Sequence, residues 1–184
     1  MREKGANIQE QLWKRWDGPP STRFLRWRDS TIDEDMKKQI HEAVRLYCEL
    51  NLYSRDEEQM NPEEADKKIN QAFLHVKPFV YHADPNGKWT KYNAEYGFNR
   101  NLLGCKMYWI CSATIGVVIC GVGWYFSEKI NFVLGVVLDS LLFLWAVAWG
   151  GYVLPRTVQV PADLYAKSVW QSFLVIIKKK TKNL

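Results

Sequence analysis

The chain has 184 residues and a formal net charge of +5, a length that excludes anything larger than one domain with membrane segments or two small domains. The modest positive charge suits contact with an anionic membrane or with nucleic acid and does not select between them. Charge is unevenly distributed, because residues 1–106 are polar, residues 107–154 are almost uncharged and residues 155–184 turn basic.

The segment from Trp13 to Arg28 combines aromatic rings with cations. We call it the basic-aromatic surface; it consists of Trp13, Arg15, Trp16, Arg23, Arg26, Trp27 and Arg28. Such a mixture can stack bases and neutralise phosphates, or it can lie on anionic lipid headgroups. It can equally be an ordinary packed structure with cation–π contacts. Packing is the favoured interpretation, and a nucleic-acid partner is not expected.

Residues 1–106 are predicted to form a small cytoplasmic helical domain. Apolar residues recur at helical spacing after Thr31, which pairs with Glu34 as a candidate capping box. A further helix is predicted to begin at Asn61-Pro62, because proline is favoured at the first helical position, and to end at Pro78. So few apolar residues predict a domain that gains extra core from the membrane-proximal segments or from neighbouring subunits.

The first predicted membrane span covers residues 107–126. It contains no charged residue, and about 20 apolar residues suffice to cross roughly 30 Å of hydrocarbon. Aromatic pairs, Tyr108–Trp109 and Trp124–Tyr125, stand near its two ends, as is typical of membrane interfaces.

The second predicted span covers residues 130–154 and is expected to end at Pro155-Arg156. Only three residues separate it from the first span, so the two helices must run antiparallel as a hairpin. Asp139 is the one charged residue in this span. A carboxylate near the middle of a span costs about 2.5–3.5 kcal/mol, so it should face protein or water. We consider three roles for it: a packing residue hydrogen-bonded to Ser112, Thr114 or Ser140, a polar contact between subunits, or part of a pore or proton path.

Small residues recur every fourth position on both spans. Ser112, Gly116 and Cys120 lie on the first span, and Gly135 precedes Asp139 by four positions on the second. Small-xxx-small stripes let helices approach closely in a membrane. They are expected either to pack the hairpin on itself or also to pack subunits together.

Orientation follows from flanking positive charge. Lysines and arginines are concentrated before the first span and after the second, while the connection holds only Lys129. The positive-inside rule therefore places both termini in the cytoplasm and the protein in the cell (inner) membrane. Met1–Asp17 lacks the apolar core of a signal peptide, which agrees with a cytoplasmic N-terminus.

Residues 155–184 are predicted to form a cytoplasmic, amphipathic and basic tail. Apolar residues recur between Pro161 and Ile177, and Lys178-Lys179-Lys180 follow. The tail is expected either to dock on the cytoplasmic domain or to lie along the inner leaflet.

The sequence contains no recognisable catalytic or metal-binding pattern. Its three histidines and four cysteines lack the spacing of a zinc site, and no glycine-rich phosphate loop or nucleophile elbow is present. We therefore expect no enzyme activity, no cofactor and no metal, with the cysteines as free thiols.

The predicted fold class is all-α: a small cytoplasmic helical unit, a two-helix transmembrane hairpin and a C-terminal amphipathic helix. This layout resembles that of membrane-acting subunits of bacterial antiviral and toxin-like systems. The resemblance implies an oligomeric, pore-forming or membrane-perturbing effector controlled by its cytoplasmic part. The alternative is a membrane anchor or scaffold that recruits a soluble protein. The partners expected are the lipid bilayer, further copies of the chain and a possible cytoplasmic protein.

Overall fold

The regular structure is entirely helical throughout residues 2–182, which the computed structural model describes, with side chains described for residues 5–180. The all-α prediction is confirmed for this part of the chain. The helices are α1 (Arg2–Arg15), α2 (Pro20–Arg23), α3 (Glu34–Cys48), α4 (Arg55–Met60), α5 (Pro62–Ala83), α6 (Lys88–Gly104), α7 (Lys106–Ser127), α8 (Ile130–Ala148) and α9 (Leu154–Lys182), with a π-helical turn at Trp149–Val153 between α8 and α9.

The chain divides into two compact units. One, the hairpin unit, contains the chain up to Gln11 together with Gly97–Gln159. The other, the helical unit, contains Leu12–Tyr96 together with the chain from Val160 onward. The units therefore combine segments that are distant in sequence.

The helical unit has a core to which the C-terminal tail contributes. Ile40 of α3 and Ile69 of α5 lie in one buried cluster with Val169, Trp170 and Phe173 of α9. Trp170 is fully buried, and its indole Nε1 donates to the backbone oxygen of Ser21 at 3.0 Å. Of the two positions expected for the tail, docking on the helical unit is the one observed. The tail supplies the additional core that residues 12–96 need.

The start of α3 differs from the prediction. Its N-cap is Asp33, whose carboxylate accepts from the backbone N–H of Asp35, so the capping box predicted at Thr31 does not form. The capping box that does form is Ser54 with Glu57, at the start of α4. Both sites satisfy helix N–H groups that would otherwise lack a partner.

Pro78 does not end α5, contrary to the prediction. The helix continues to Ala83, with Val76 and Val80 both fully buried on one face. Phe79 also packs edge-on against Phe173, with ring centroids 5.9 Å apart. A proline inside a helix costs about 3 kcal/mol, and burying a valine gains roughly 1.5–3 kcal/mol. Tertiary packing on both sides of Pro78 is therefore large enough to keep the helix intact.

The hairpin unit contains α7 and α8, joined by Glu128 and Lys129. Glu128 adopts a left-handed conformation (φ 49°), and its N–H donates to the oxygen of Trp124 at 2.8 Å. This compact C-cap reverses the direction of the chain. As a result, α7 and α8 form the predicted helical hairpin.

The second apolar helix does not end at Pro155-Arg156 as predicted, because α9 continues directly from the π-helical turn. Pro155 is the second residue of α9, and proline is tolerated in the first turn of a helix. The wider π-helical turn immediately before it shifts the hydrogen-bonding register at this point. Pro161, predicted to begin the tail helix, lies inside α9.

Two continuous helical stretches, Lys88–Ser127 and Ile130–Lys180, are long and apolar enough to cross a membrane by length and composition. Only 6 % of the most apolar part of each stretch is buried within the protein. They are therefore candidate membrane spans.

Candidate functional site

Asp139 of α8 lies directly opposite Gly116 of α7. A Cβ atom on Gly116 would lie 2.4 Å from Oδ2 of Asp139 and 2.6 Å from its Cγ, too close for any side chain larger than that of glycine. The absence of a side chain at position 116 thus creates the space that the carboxylate occupies. The side chain of Asp139 therefore points towards α7 of the same hairpin.

Cys120 is the nearest polar contact of this carboxylate. Its Sγ lies 3.8 Å from Oδ2 of Asp139, a distance that suits a weak thiol donor. Gly135 faces Cys120 in turn, since a Cβ on Gly135 would lie 2.5 Å from that sulfur. The structure therefore brings Gly116, Cys120, Gly135 and Asp139 together, as expected if the small residues pack the hairpin on itself.

An open cavity of about 330 Å³ adjoins Asp139. It is lined by Trp109, Ser112, Ala113, Asp139, Leu142, Trp145 and Ala146. Ser112 thus lies beside the same space as Asp139, as its place on the stripe predicted. Thr114, another predicted partner, donates instead to the oxygen of Ile110 in its own helix at 2.8 Å. Polar and aromatic groups therefore share a notch on the side of the hairpin.

One close contact of the hairpin was not predicted. A Cβ on Gly123 would lie 2.4–2.8 Å from three ring atoms of Phe132. Position 123 is outside the four-residue stripe, so the sequence pattern gave no reason to single it out. The sequence does contain two glycines, Gly121 and Gly123, near the end of α7 that is joined to α8. Glycines at this end could have indicated a close approach of the two helices.

The outer surface of the hairpin is apolar and uncovered. In the described part of α7 and α8 the buried residues are Ala113 and Ala146, both small. Large apolar side chains remain exposed, among them Ile119 at 62 %, Leu138 at 61 % and Leu144 at 63 %. Soluble monomers rarely expose continuous apolar patches beyond a few hundred Å², so this surface requires a covering.

Arg26 is the most deeply buried member of the basic-aromatic surface, at 4 % exposure. Its guanidinium makes a two-bond pair with the carboxylate of Asp66, at 2.8 and 2.6 Å, and reaches Asp17 at 2.6 Å. A bidentate arginine–carboxylate pair is strong and geometrically specific. Arg26 therefore links three separate segments of the helical unit.

Two other arginines of this surface also pair with carboxylates. Arg23 donates to Asp163 at 3.0 Å, and Arg28 donates to Glu58 at 3.2 Å. The backbone N–H of Trp27 donates to Glu58 as well, at 2.9 Å, and its indole donates to the oxygen of Tyr53. The rings of Trp13 and Trp16 lie half-buried and buried, while Arg15 is exposed. With three of the four arginines neutralised by carboxylates, the geometry favours packing over binding of a polyanion.

The sequence pattern did not single out Lys37, which is buried at the centre of this ion-pair network. Its Nζ donates to the backbone oxygen of Arg26 at 2.7 Å and also to that of Asp29. Burial lowers the pKa of Lys37, and the negative charges of Asp29 and Glu58 partly oppose that effect. Lysine is seldom fully buried without such partners.

His41 lies next to this network. Its ring centroid is 4.8 Å from that of Trp27, and its Nε2 is 3.4 Å from the oxygen of Leu25. Burial lowers the pKa of His41, so the neutral form is favoured in the folded protein.

Within residues 5–180, no three histidine, cysteine, aspartate or glutamate side chains come close enough to hold a metal ion. The cysteines described there are all free thiols.

No protein-family model matches the chain, and neither a curated protein nor a solved structure is significantly similar to it.

Proposed function

We propose that the chain is an integral membrane protein whose α7–α8 hairpin crosses the bilayer, and that several copies assemble into a membrane-acting effector controlled by the helical unit. In this proposal both termini lie in the cytoplasm at the inner membrane. The effector forms a pore or otherwise perturbs the membrane.

The uncovered apolar surface of the hairpin carries the membrane part of this proposal. A core helix of a soluble protein is equally apolar but is mostly buried, whereas only 6 % of the most apolar window of each of these helical stretches is buried. Each Å² of apolar surface left in water costs about 25 cal/mol relative to burial, so an uncovered apolar surface of this kind is unfavourable in water. A lipid bilayer supplies the missing cover.

Asp139 supports the assembly part. Among the residues described, its carboxylate has a single hydrogen-bond contact, the weak one from Cys120. In hydrocarbon such a group needs strong donors or water. The notch beside it, which also holds Ser112, leaves room for a polar group of a second copy or for water. The first of these arrangements requires a second copy of the chain.

Dye release from liposomes tests the proposal. The wild-type protein should release a small trapped dye once activated, and Asp139→Leu should abolish release or make it independent of activation. Thr114→Val is the matched control, because it removes a polar side chain that bonds only within α7. Equal release from Asp139→Leu and wild type would refute the role of Asp139.

The size of the protein in detergent tests assembly separately. The proposal requires a species larger than one 21.6 kDa chain after the mass of bound detergent is subtracted. A monomer at all concentrations would contradict a multi-subunit effector, although it would leave membrane insertion intact.

The second candidate function is a membrane anchor or scaffold. It is supported by large apolar side chains that α3 of the helical unit leaves exposed, Leu46 at 59 % and Tyr47 at 43 %, because exposed apolar side chains of this kind suit a protein partner. Replacing α7 and α8 with an unrelated membrane hairpin separates the two functions. Retained cellular function would favour the anchor, and lost function with normal insertion would favour the effector.

A further inference from the structure

An open groove of about 600 Å³ lies within the helical unit, between the start of α6 and the last turns of α9. It is lined by Ala83, Asp84, Lys88, Ser168, Gln171, Ser172, Val175, Ile176, Lys179 and Lys180. Its volume is in the range of small-molecule sites, about 300–1,000 Å³. Three lysines and one carboxylate line it, so its walls carry net positive charge.

Unlike many cations of the helical unit, these three lysines form no ion pair with a carboxylate among the described residues. Arg23, Arg26 and Arg28 are each paired with an acidic residue. In contrast, Lys88 and Lys179 form no ion pair with any residue among those described, and Lys180 contacts the ring of Phe79, with its Nζ 4.8 Å from the centroid. The positive charge of the groove is therefore available to a ligand.

The remaining lining specifies the ligand further. Gln171 and Ser172 provide side-chain hydrogen-bond donors next to the lysines, while Val175 and Ile176 provide an apolar wall. Lys88 is also the first residue of α6, and the N-terminus of a helix favours an anion. This combination fits a phosphate group attached to an apolar or aromatic body.

We propose that this groove binds a phosphate-bearing ligand of nucleotide size, with Lys88, Lys179 and Lys180 contacting the phosphate. Such a ligand is either a soluble phosphorylated molecule or the headgroup of a phosphorylated lipid. Asp84 opposes the anion and weakens its binding. The inference goes beyond the proposed membrane function and does not depend on it, since binding is measured directly.

Titration of the full-length protein in detergent with tripolyphosphate tests the soluble source. Lys88→Gln and Lys179→Gln should each weaken binding roughly tenfold, the loss expected for one charge-assisted hydrogen bond. Lys178→Gln is the matched control: it removes the same charge from the neighbouring position, where Nζ contacts Gln39 outside the groove. It should change the affinity less than twofold. Asp84→Asn should tighten binding, an effect that misfolding cannot imitate.

A second titration tests the lipid source. Phosphatidylcholine vesicles with and without phosphatidylinositol bisphosphate are mixed with the detergent-solubilised protein and its variants. Binding by either probe with the same dependence on Lys88 and Lys179 supports the proposal and identifies the source. Absence of binding to both probes at millimolar phosphate, or equal weakening by Lys178→Gln, would overturn it.

Discussion

The packing of Asp139 against Gly116 leads to a specific prediction about Gly116→Ala. The added methyl group would lie 2.4–2.9 Å from three atoms of the Asp139 carboxyl group, so the aspartate or the helix must move. Gly121→Ala is the matched control on the same helix, because a Cβ there has no neighbour within 4 Å. The two substitutions add the same methyl group in different surroundings.

The expected magnitudes follow from two opposing effects. Overpacking costs about 1–3 kcal/mol, whereas replacing glycine by alanine inside a helix gains about 0.8–1 kcal/mol. Gly116→Ala should therefore lower the free energy of unfolding by up to about 2 kcal/mol, and Gly121→Ala should raise it by up to about 1 kcal/mol. In an Asp139→Ala background the clash disappears, so Gly116→Ala should then behave like Gly121→Ala.

Unfolding in mixed detergent micelles, followed by tryptophan fluorescence, measures all four free energies of this cycle. We expect a coupling energy between positions 116 and 139 of at least about 1 kcal/mol, well above the roughly 0.3–0.5 kcal/mol typical of independent sites. If Gly116→Ala has the same effect in both backgrounds, the assigned contact between α7 and α8 is wrong.

Two further predictions concern the helical unit. Arg26→Gln should lower the free energy of unfolding by roughly 2–3 kcal/mol, because it removes the buried bidentate partner of Asp66 and leaves that carboxylate only the longer ion pair with Arg28, at 3.4 Å. Arg28 is more exposed, so Arg28→Gln should cost below about 1 kcal/mol. Equal losses in chemical denaturation would contradict the central role of Arg26. Acidification should destabilise the protein as pH falls below the unfolded pKa of 6.5 for histidine, because the lowered pKa of His41 means that the unfolded chain binds the proton more readily. His41→Gln should reduce this loss between pH 7 and pH 5, and an unchanged pH profile would show that His41 does not cause it.

The sequence predicted helices well where periodicity and capping agree. The start of α5 at Pro62 and the hairpin turn near Glu128 both follow from local chemistry. The helix ends predicted at Pro78 and Pro155 were wrong, because a proline only disfavours a helix. Pro155 lies in the first turn of α9, where proline is tolerated, and tertiary contacts compensate for Pro78. Those contacts arise between segments far apart in sequence.

At the candidate site, too, local sequence patterns predict some features, whereas contacts between distant segments determine the others. The four-residue spacing of small residues predicts that Gly116 and Cys120 share one face of α7, and that Gly135 and Asp139 share one face of α8, because this follows from helix geometry alone. Which donor reaches Asp139 depends on the register between two helices, and this is why Cys120 was not predicted as its contact. Likewise, the carboxylates that pair with Arg26 lie 9 and 40 positions away, beyond any local pattern.

The proline inside α9 has a consequence for how this sequence can vary. Pro161 has no N–H to offer the backbone oxygen of Thr157, four positions earlier, and the side-chain amide of Asn99 donates to that oxygen at 3.1 Å instead. If Pro161 were replaced with a residue that has an N–H, that N–H could donate to the Thr157 oxygen within the helix. The side-chain amide of Asn99 would then compete for the same oxygen. Positions 99 and 161 should therefore covary during evolution, although they are far apart in the chain.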